Sequence, residues 1–236
     1  MKDSQVRELT VALLTQSTER DRQRKVGASQ ISDPCTYHLA RALITTGEAP
    51  IKYWLGAKVG TAIHMLLEDA VEKADLTAMP ELEGAQVEQK ILLGELDGYG
   101  TISSKPDLML VKENHLIDWK TSTRDKSKKM QRYLDDPSIP TLKDVGYTIQ
   151  KYVAQVQLYA WGLAKAGTPA DNCSLVFINR DGTTENDIWT YTFDYSEELA
   201  VQLWDRLVNL WTAIKAGVDL EQLDRNEHCF KCAIGI

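Results

Sequence analysis

The chain reads as an α/β protein with a helical region ahead of its core and a cysteine-bearing tail behind it. Three observations predict this. Apolar residues recur with helical spacing in several long segments, five shorter runs carry the β-branched and aromatic residues of strands, and the order is helices, three strands, helix, two strands, helix.

Residues 3–24 form the first amphipathic pattern. "SDPCTYHLARALI" opens a second helix, with Ser32 or Asp33 as the cap and Pro34 in its first turn. A third long helix is expected at about 51–75. "AQVEQKILLG" (85–94) reads as one strand, and "GYGTISSKPDLMLVK" and "HLIDWKTS" as the next two, joined at "KEN". Residues 124–143 are polar and basic and contain Pro137 and Pro140, which predicts a long connecting loop. Helix resumes at about 144–166. "CSLVFINR" and "DIWTYTFD" follow as strands around "DGTTEN", and a last helix at about 195–217 leads to the tail "LEQLDRNEHCFKCAIGI". The expected organisation is one integrated domain: a helical region over 1–80, a core over 81–217, and a metal-binding tail over 218–236 packed on the helix at 34–45.

With 236 residues, 43% hydrophobic and 26% charged, the chain has the balance of a globular domain. It has no apolar run of about 18 residues and no signal-peptide core at its start, so no membrane partner and a cytoplasmic location are expected. The net charge of −7 is unusual for a nucleic-acid binder. Two basic blocks, "RDRQRK" (20–25) and "TRDKSKKMQR" (123–132), can still hold phosphates, although for either one alone solvated surface is the favoured reading.

Chemistry concentrates in "DLMLVKENHLIDWKTST" (107–123). Side chains alternate across a strand, so Asp118 and Lys120 share a face and Trp119 points opposite. If the strand that starts at Asp107 forms a hairpin with "HLIDWKTS", the acid-bearing ends meet. Burying such charges is costly unless they pair or hold a metal. Two carboxylates and a lysine are a minimal set for metal-assisted phosphodiester hydrolysis, although acid-x-Lys also occurs as an ordinary exposed pair. Glu88 in "VEQKI" can add a third carboxylate. His64 lies in an apolar helix, where a lone histidine is usually a core residue, and Gln155 and Tyr159 in "QVQLY" fall on one helical face.

Taken together, "GTAIH", "VEQKI", "SKPDLML", "IDWK" and "QVQLY" resemble, in order, the motifs of the PD-(D/E)XK nuclease superfamily. They are most similar to its RecB-like branch, which includes CRISPR-associated RecB-like exonucleases and phage relatives. The likeness covers roughly residues 35–232. It implies a restriction-endonuclease-like core, a mixed central β-sheet flanked by helices. It also implies Mg²⁺ or Mn²⁺ held by His64, Asp107, Asp118 and the backbone carbonyl of Trp119, with Lys120 as the catalytic lysine. Gln155 and Tyr159 position DNA and active-site groups in this family, and Glu88 matches an acidic position of variable role. Ser103 and Ser104 depart slightly from the glycine and apolar residues common before the aspartate.

The cysteines supply a second signal. "CTYH" (Cys35, His38) and "CFKC" (Cys229, Cys232) are ligand-x-x-ligand pairs suited to tetrahedral zinc, with His228 as an alternative ligand; Cys173 reads as a small core residue. The resemblance raises a second option, a [4Fe–4S] cluster, because Cys35, Cys229 and Cys232 match three of the four cysteines common in that branch. The fourth would fall past Ile236, so zinc with His38 is favoured and the cluster is the alternative. The expected activity is a divalent-metal-dependent DNA exonuclease acting on single strands or ends, with Tyr133, Tyr147 and Trp161 as candidate base-stacking residues. A non-catalytic nucleic-acid-binding or assembly module that keeps the nuclease fold is the alternative, and homo-oligomerisation is left open.

Overall fold

The computed structural model describes residues 3–14, 25–45, 55–229 and 232. The rest of the expected first helix, most of the 20–25 basic block and residues 230, 231 and 233–236 of the tail lie outside the described residues. In chain order the helices are α1 (Asp3–Leu14), α2 (Ala28–Ile31), α3 (Thr36–Ile44), α4 (Leu55–Glu72), α5 (Arg124–Asp135), α6 (Lys143–Lys165) and α7 (Glu197–Lys215). The strands are β1 (Gln86–Val87), β2 (Ile91–Leu96), β3 (Gly100–Ser104), β4 (Leu108–Leu110), β5 (His115–Ser122), β6 (Asn172–Asn179) and β7 (Ile188–Asp194). No helix among the described residues is long and apolar enough to cross a membrane.

The main sheet is mixed, in the order β1-β4-β5-β6-β7. β4 and β5 are the expected hairpin, pairing Leu108 with Ile117 and Leu110 with His115. β5 and β6 run parallel from His115–Asn172 to Ser122–Asn179. A parallel pair needs a long crossover, and α5 and α6 provide it. α6 lays Ile149, Val156 and Leu163 into the core with Leu116, Leu175 and Phe177 of the central strands, and α7 closes the same core with Leu207. This is the α/β architecture, mixed sheet and flanking helices, that the sequence predicts.

Four local expectations are corrected. The run 85–94 is not one strand: β1 belongs to the main sheet, while β2 pairs with β3 in a separate two-stranded sheet. Between them Glu88 adopts φ 49, a left-handed backbone that ends the first strand. The run "GYGTISSKPDLMLVK" likewise divides into β3 and β4.

The expected loop at 124–143 begins as a three-turn helix, α5. It buries only Ser127 and Met130, and its strongly polar composition offers few apolar residues to read. Thr123 caps it by accepting from the Lys126 N–H, and Lys129 pairs with Asp125 at 2.8 Å one turn away. Finally, α3 starts at Thr36 with Cys35, not Ser32 or Asp33, at its N-cap. The Asp33 carboxylate accepts from the Cys35 N–H at 3.1 Å and is otherwise engaged with Tyr147 and Lys151.

Candidate active site

The hairpin and two helices bring the predicted polar groups around one cavity of ≈ 760 Å³. β5 supplies Asp118 and Lys120 from one face, as alternation requires. Asp107 enters from the start of β4, His64 from α4, and Gln155 and Tyr159 from one face of α6. Glu88 reaches the same cavity from its left-handed position. A strained backbone at a non-glycine residue is costly, and it persists here where it turns a carboxylate towards two other polar groups.

Asp107 is held at both oxygens. Its Oδ1 lies 3.2 Å from His64 Nδ1, and its Oδ2 accepts the Trp119 N–H at 2.7 Å. Ligand atoms of His64, Glu88 and Asp107 all lie within 4.8 Å of one another. Glu88 therefore joins His64 and Asp107 more tightly than its sequence position suggested. Trp119, whose carbonyl was the expected fourth donor, buries its side chain on the opposite face and meets the His64 ring edge-on.

Asp118 is 1% exposed. Lys120 Nζ lies 2.5 Å from its Oδ2, yet neither carboxylate oxygen receives a hydrogen bond of ordinary geometry. The ammonium compensates the charge and leaves the lone pairs without a directed donor. Burial, helped by the Asp107 charge and opposed by Lys120, pushes the Asp118 carboxyl up to about 6. Lys120 is desolvated too, but Asp118 and Asp107 outweigh this and raise its pKa, so it stays an ammonium. It donates to Gln155 Oε1 at 3.3 Å, and Gln155 Nε2 donates to the Tyr159 hydroxyl at 2.6 Å. His64 is drawn upward as well, because its Asp107 hydrogen bond and charge outweigh its burial.

The Asp118 carboxylate, without a directed donor, together with the carboxylates of Asp107 and Glu88 and the His64 imidazole, forms a hard, oxygen-rich donor set. Such a set suits Mg²⁺ or Mn²⁺ better than a soft metal. The arrangement can hold a cation against a phosphate while a fixed ammonium faces the same space.

Of the basic wall of the cavity, sequence reasoning singled out only Lys25, within its first basic block, and missed the rest. Lys25, Lys90 and Lys105 line it together with Ser29 and Ser104. Lys25 is the end of the first basic block, and Lys105 immediately precedes the Pro106–Asp107 pair, which was the available signal. The candidate stacking residues stand elsewhere. Trp161 packs on Trp204 at 5.6 Å, the Tyr133 ring lies against Gly146, and Tyr147 bonds Asp33.

The second expected site is partly assembled. The sulfurs of Cys35, Cys229 and Cys232 lie within 4.8 Å of one another, with Cys35 and Cys232 at 3.4 Å, and no other His, Cys, Asp or Glu among the described residues joins them. His38 is buried in α3 but outside this group. Cys35 and His38 were expected one helical turn apart, but Cys35 is the cap, with extended backbone at ψ 109, so its side chain leaves the helix face. His228 instead meets Asp144 at 2.5 Å and Glu227 at 3.3 Å. Burial and the two neighbouring sulfurs push the Cys232 thiol up to about 12. Burial would also raise Cys229, but hydrogen bonds from Cys232 and Tyr147 bring it below its ordinary value. Three converging sulfurs are compatible with a thiophilic metal.

An alkaline exonuclease from Laribacter hongkongensis, LHK-Exo, superposes with a TM-score of 0.50 at 14% identity, covering 86% of this chain and 95% of that chain. The chain shares its fold, a mixed sheet flanked by helices, with that exonuclease. LHK-Exo in complex with dAMP gives a TM-score of 0.47 at 14% identity over 85% of this chain and 91% of that one. A phage-related exonuclease from Haemophilus somnus gives 0.40 at 12% identity over 81% and 95%. No family model and no curated protein matches the chain in sequence. The likeness to these nucleases is one of three-dimensional arrangement.

Proposed function

We propose that the protein is a divalent-metal-dependent deoxyribonuclease that hydrolyses phosphodiester bonds as an exonuclease, acting on single strands or DNA ends. The observation that carries this reading is the buried Asp118 carboxylate. It faces a cavity, lacks a directed hydrogen bond, and stands beside Lys120 within a set that includes Asp107, His64 and Glu88. The shared fold with an alkaline exonuclease supports the same class of chemistry.

In this reading His64, Glu88, Asp107 and Asp118, with the Trp119 carbonyl, hold Mg²⁺ or Mn²⁺. When bound, such a cation supplies Lewis acidity to the scissile phosphate and to the attacking water. Lys120 contributes its charge. As an ammonium it orients the water and offsets the negative charge that builds on the phosphate, and it does not act as a general base. Gln155 holds Lys120 in place, and Tyr159 holds Gln155. Lys25, Lys90 and Lys105 receive the flanking phosphates and make an acidic protein locally attractive to DNA. At the sulfur site we favour structural zinc, with a [4Fe–4S] cluster as the alternative. A brown protein absorbing near ~400 nm would select the cluster.

The test is digestion of end-labelled single- and double-stranded DNA with and without Mg²⁺ or Mn²⁺. Metal-dependent release of mononucleotides from ends is expected. Binding without cleavage under every metal condition would instead favour the non-catalytic module.

A further inference from the structure

Beyond the cavity, at the C-terminal ends of the two parallel strands, lie two cations that the hydrolytic site does not use. Ser127 Oγ donates to Asn179 Oδ1 at 2.5 Å, and the Arg180 N–H donates to the Ser122 carbonyl at 3.1 Å. These bonds tie the first turn of α5 to the end of β6. They set Lys126, which precedes Ser127, beside Arg180, which follows Asn179.

The neighbouring cation is already spoken for. Arg124 forks onto Asp187 at 2.5 and 2.7 Å, and its N–H takes Asp181. Lys126 and Arg180 have no carboxylate partner among the described residues. Lys126 is half-buried near the N-terminus of α5, and Arg180 is exposed. Two like charges held together at the positive end of a helix repel each other unless an anion joins them. Burial and the Arg180 charge hold the Lys126 ammonium below the ordinary lysine range, consistent with that stress.

The pair is aligned with the cutting site. His64, Gly60 and Gly56 recur every four residues on α4 and so share a face. His64 meets Asp107. Gly60 lines the cavity, and a Cβ there would sit 3.2 Å from Thr121 Oγ1, one residue past Lys120. At Gly56 a Cβ would lie 2.6 Å from an Arg180 guanidinium nitrogen, so the missing side chain leaves room for the arginine. Eight helical residues span about 12 Å, or roughly three to four nucleotide rises.

We propose that Lys126 and Arg180 form a phosphate subsite that grips the nucleic-acid strand three to four nucleotides from the bond being cut. The subsite rests on the nuclease reading for its substrate, and its chemistry requires only a phosphodiester backbone.

The experiment compares wild type with Lys126→Gln, with the double variant Lys126→Gln/Arg180→Gln, and with Lys129→Gln as a control on the exposed side of α5. Melting curves verify folding, and the single variant serves if the double does not fold. Binding of fluorescent thymidine strands of about 20 and about 3 nucleotides is read by anisotropy in EDTA across a salt series, and cleavage kinetics are read separately with metal. For the long strand the double variant should bind about tenfold more weakly, with a salt slope shallower by about 1.4 and unchanged kcat. The short strand and the Lys129 control should behave as wild type. Unchanged long-strand affinity and salt slope would overturn the subsite. Loss of affinity in the variants of a protein that binds but never cuts would keep the subsite and overturn the nuclease. A wild type that does not bind DNA would overturn both.

Discussion

Asp33 and Asp118 are both almost wholly buried, at 3% and 1% exposure, yet the fold treats them in opposite ways. Asp33 sits where α3 begins. It accepts from the Cys35 N–H, the Tyr147 hydroxyl and Lys151 Nζ, the last at 2.7 Å. Burial alone would raise its pKa, but Lys151 and these hydrogen bonds hold the carboxyl below the ordinary aspartate range. Asp118 has a lysine equally close, no directed donor at either oxygen, and a raised pKa. Burial by itself therefore does not mark a functional acid. The distinguishing feature is a buried carboxylate that faces open volume with its lone pairs unused, because a polar group left in that state costs stability unless something else occupies it.

The contrast is broken most directly by deleting each acid. Asp118→Ala should lower metal-dependent cleavage by about 10³-fold or more while leaving a folded protein that still binds DNA. A mutant that cuts at near wild-type rate with Mg²⁺ or Mn²⁺ would remove Asp118 from the chemistry. Asp33→Ala should do the reverse. Stranding Lys151 and Tyr147 is expected to cost about 3–5 kcal/mol of stability, measured by urea unfolding, with little change in kcat for the folded protein. If Asp33→Ala lost activity without losing stability, the two acids would not differ as described.

The pH dependence sharpens the same comparison. Because the Asp118 carboxyl is raised to about 6, a proton competes with the metal below that value, and cleavage should fall about tenfold per unit as pH drops through it. A tenfold increase in Mn²⁺ should move this limb down by up to about one unit, and a limb indifferent to metal would assign it to another group. In the metal-free protein the sign for stability is the opposite of the usual paired aspartate. Charging Asp118 costs more folded than unfolded, so its contribution becomes less favourable as pH rises from about 4 through 6. Asp33, with its lowered pKa, contributes stability that is present above the unfolded carboxylate value and is lost as pH falls below it.

The smallest expected effect is at the sulfur site. Cys232→Ser should release bound metal, measured by elemental analysis, and lower the melting temperature by several degrees with nearly unchanged kcat. Loss of cleavage at full metal occupancy of the acidic site would instead tie the sulfurs to catalysis.

Much of this was legible in advance where the signal is short-range. Strand alternation puts Asp118 and Lys120 on one face whatever surrounds them, and the four-residue spacing of Gln155 and Tyr159 does the same on a helix. Helices α4, α6 and α7 and strands β5 to β7 fell close to their expected bounds because each is rich in apolar residues at its own period. α5 did not, because a helix so poor in apolar residues, with two prolines close behind it, looks like a polar loop in one dimension. The break at Glu88 was equally hidden, since a glutamate carries no local mark of a left-handed backbone.

The sequence by itself determined the α/β class, the order of elements, and which polar groups share a face, because these follow from the periods of helix and strand. Only the tertiary structure decided that Glu88 joins His64 and Asp107, that Cys35 meets Cys229 and Cys232 while His38 stands apart, and that Lys126 lies beside Arg180. Those are contacts between residues far apart in the chain. Their distances are set by how the hairpin, the crossover helices and the tail pack on one another, which no local pattern encodes.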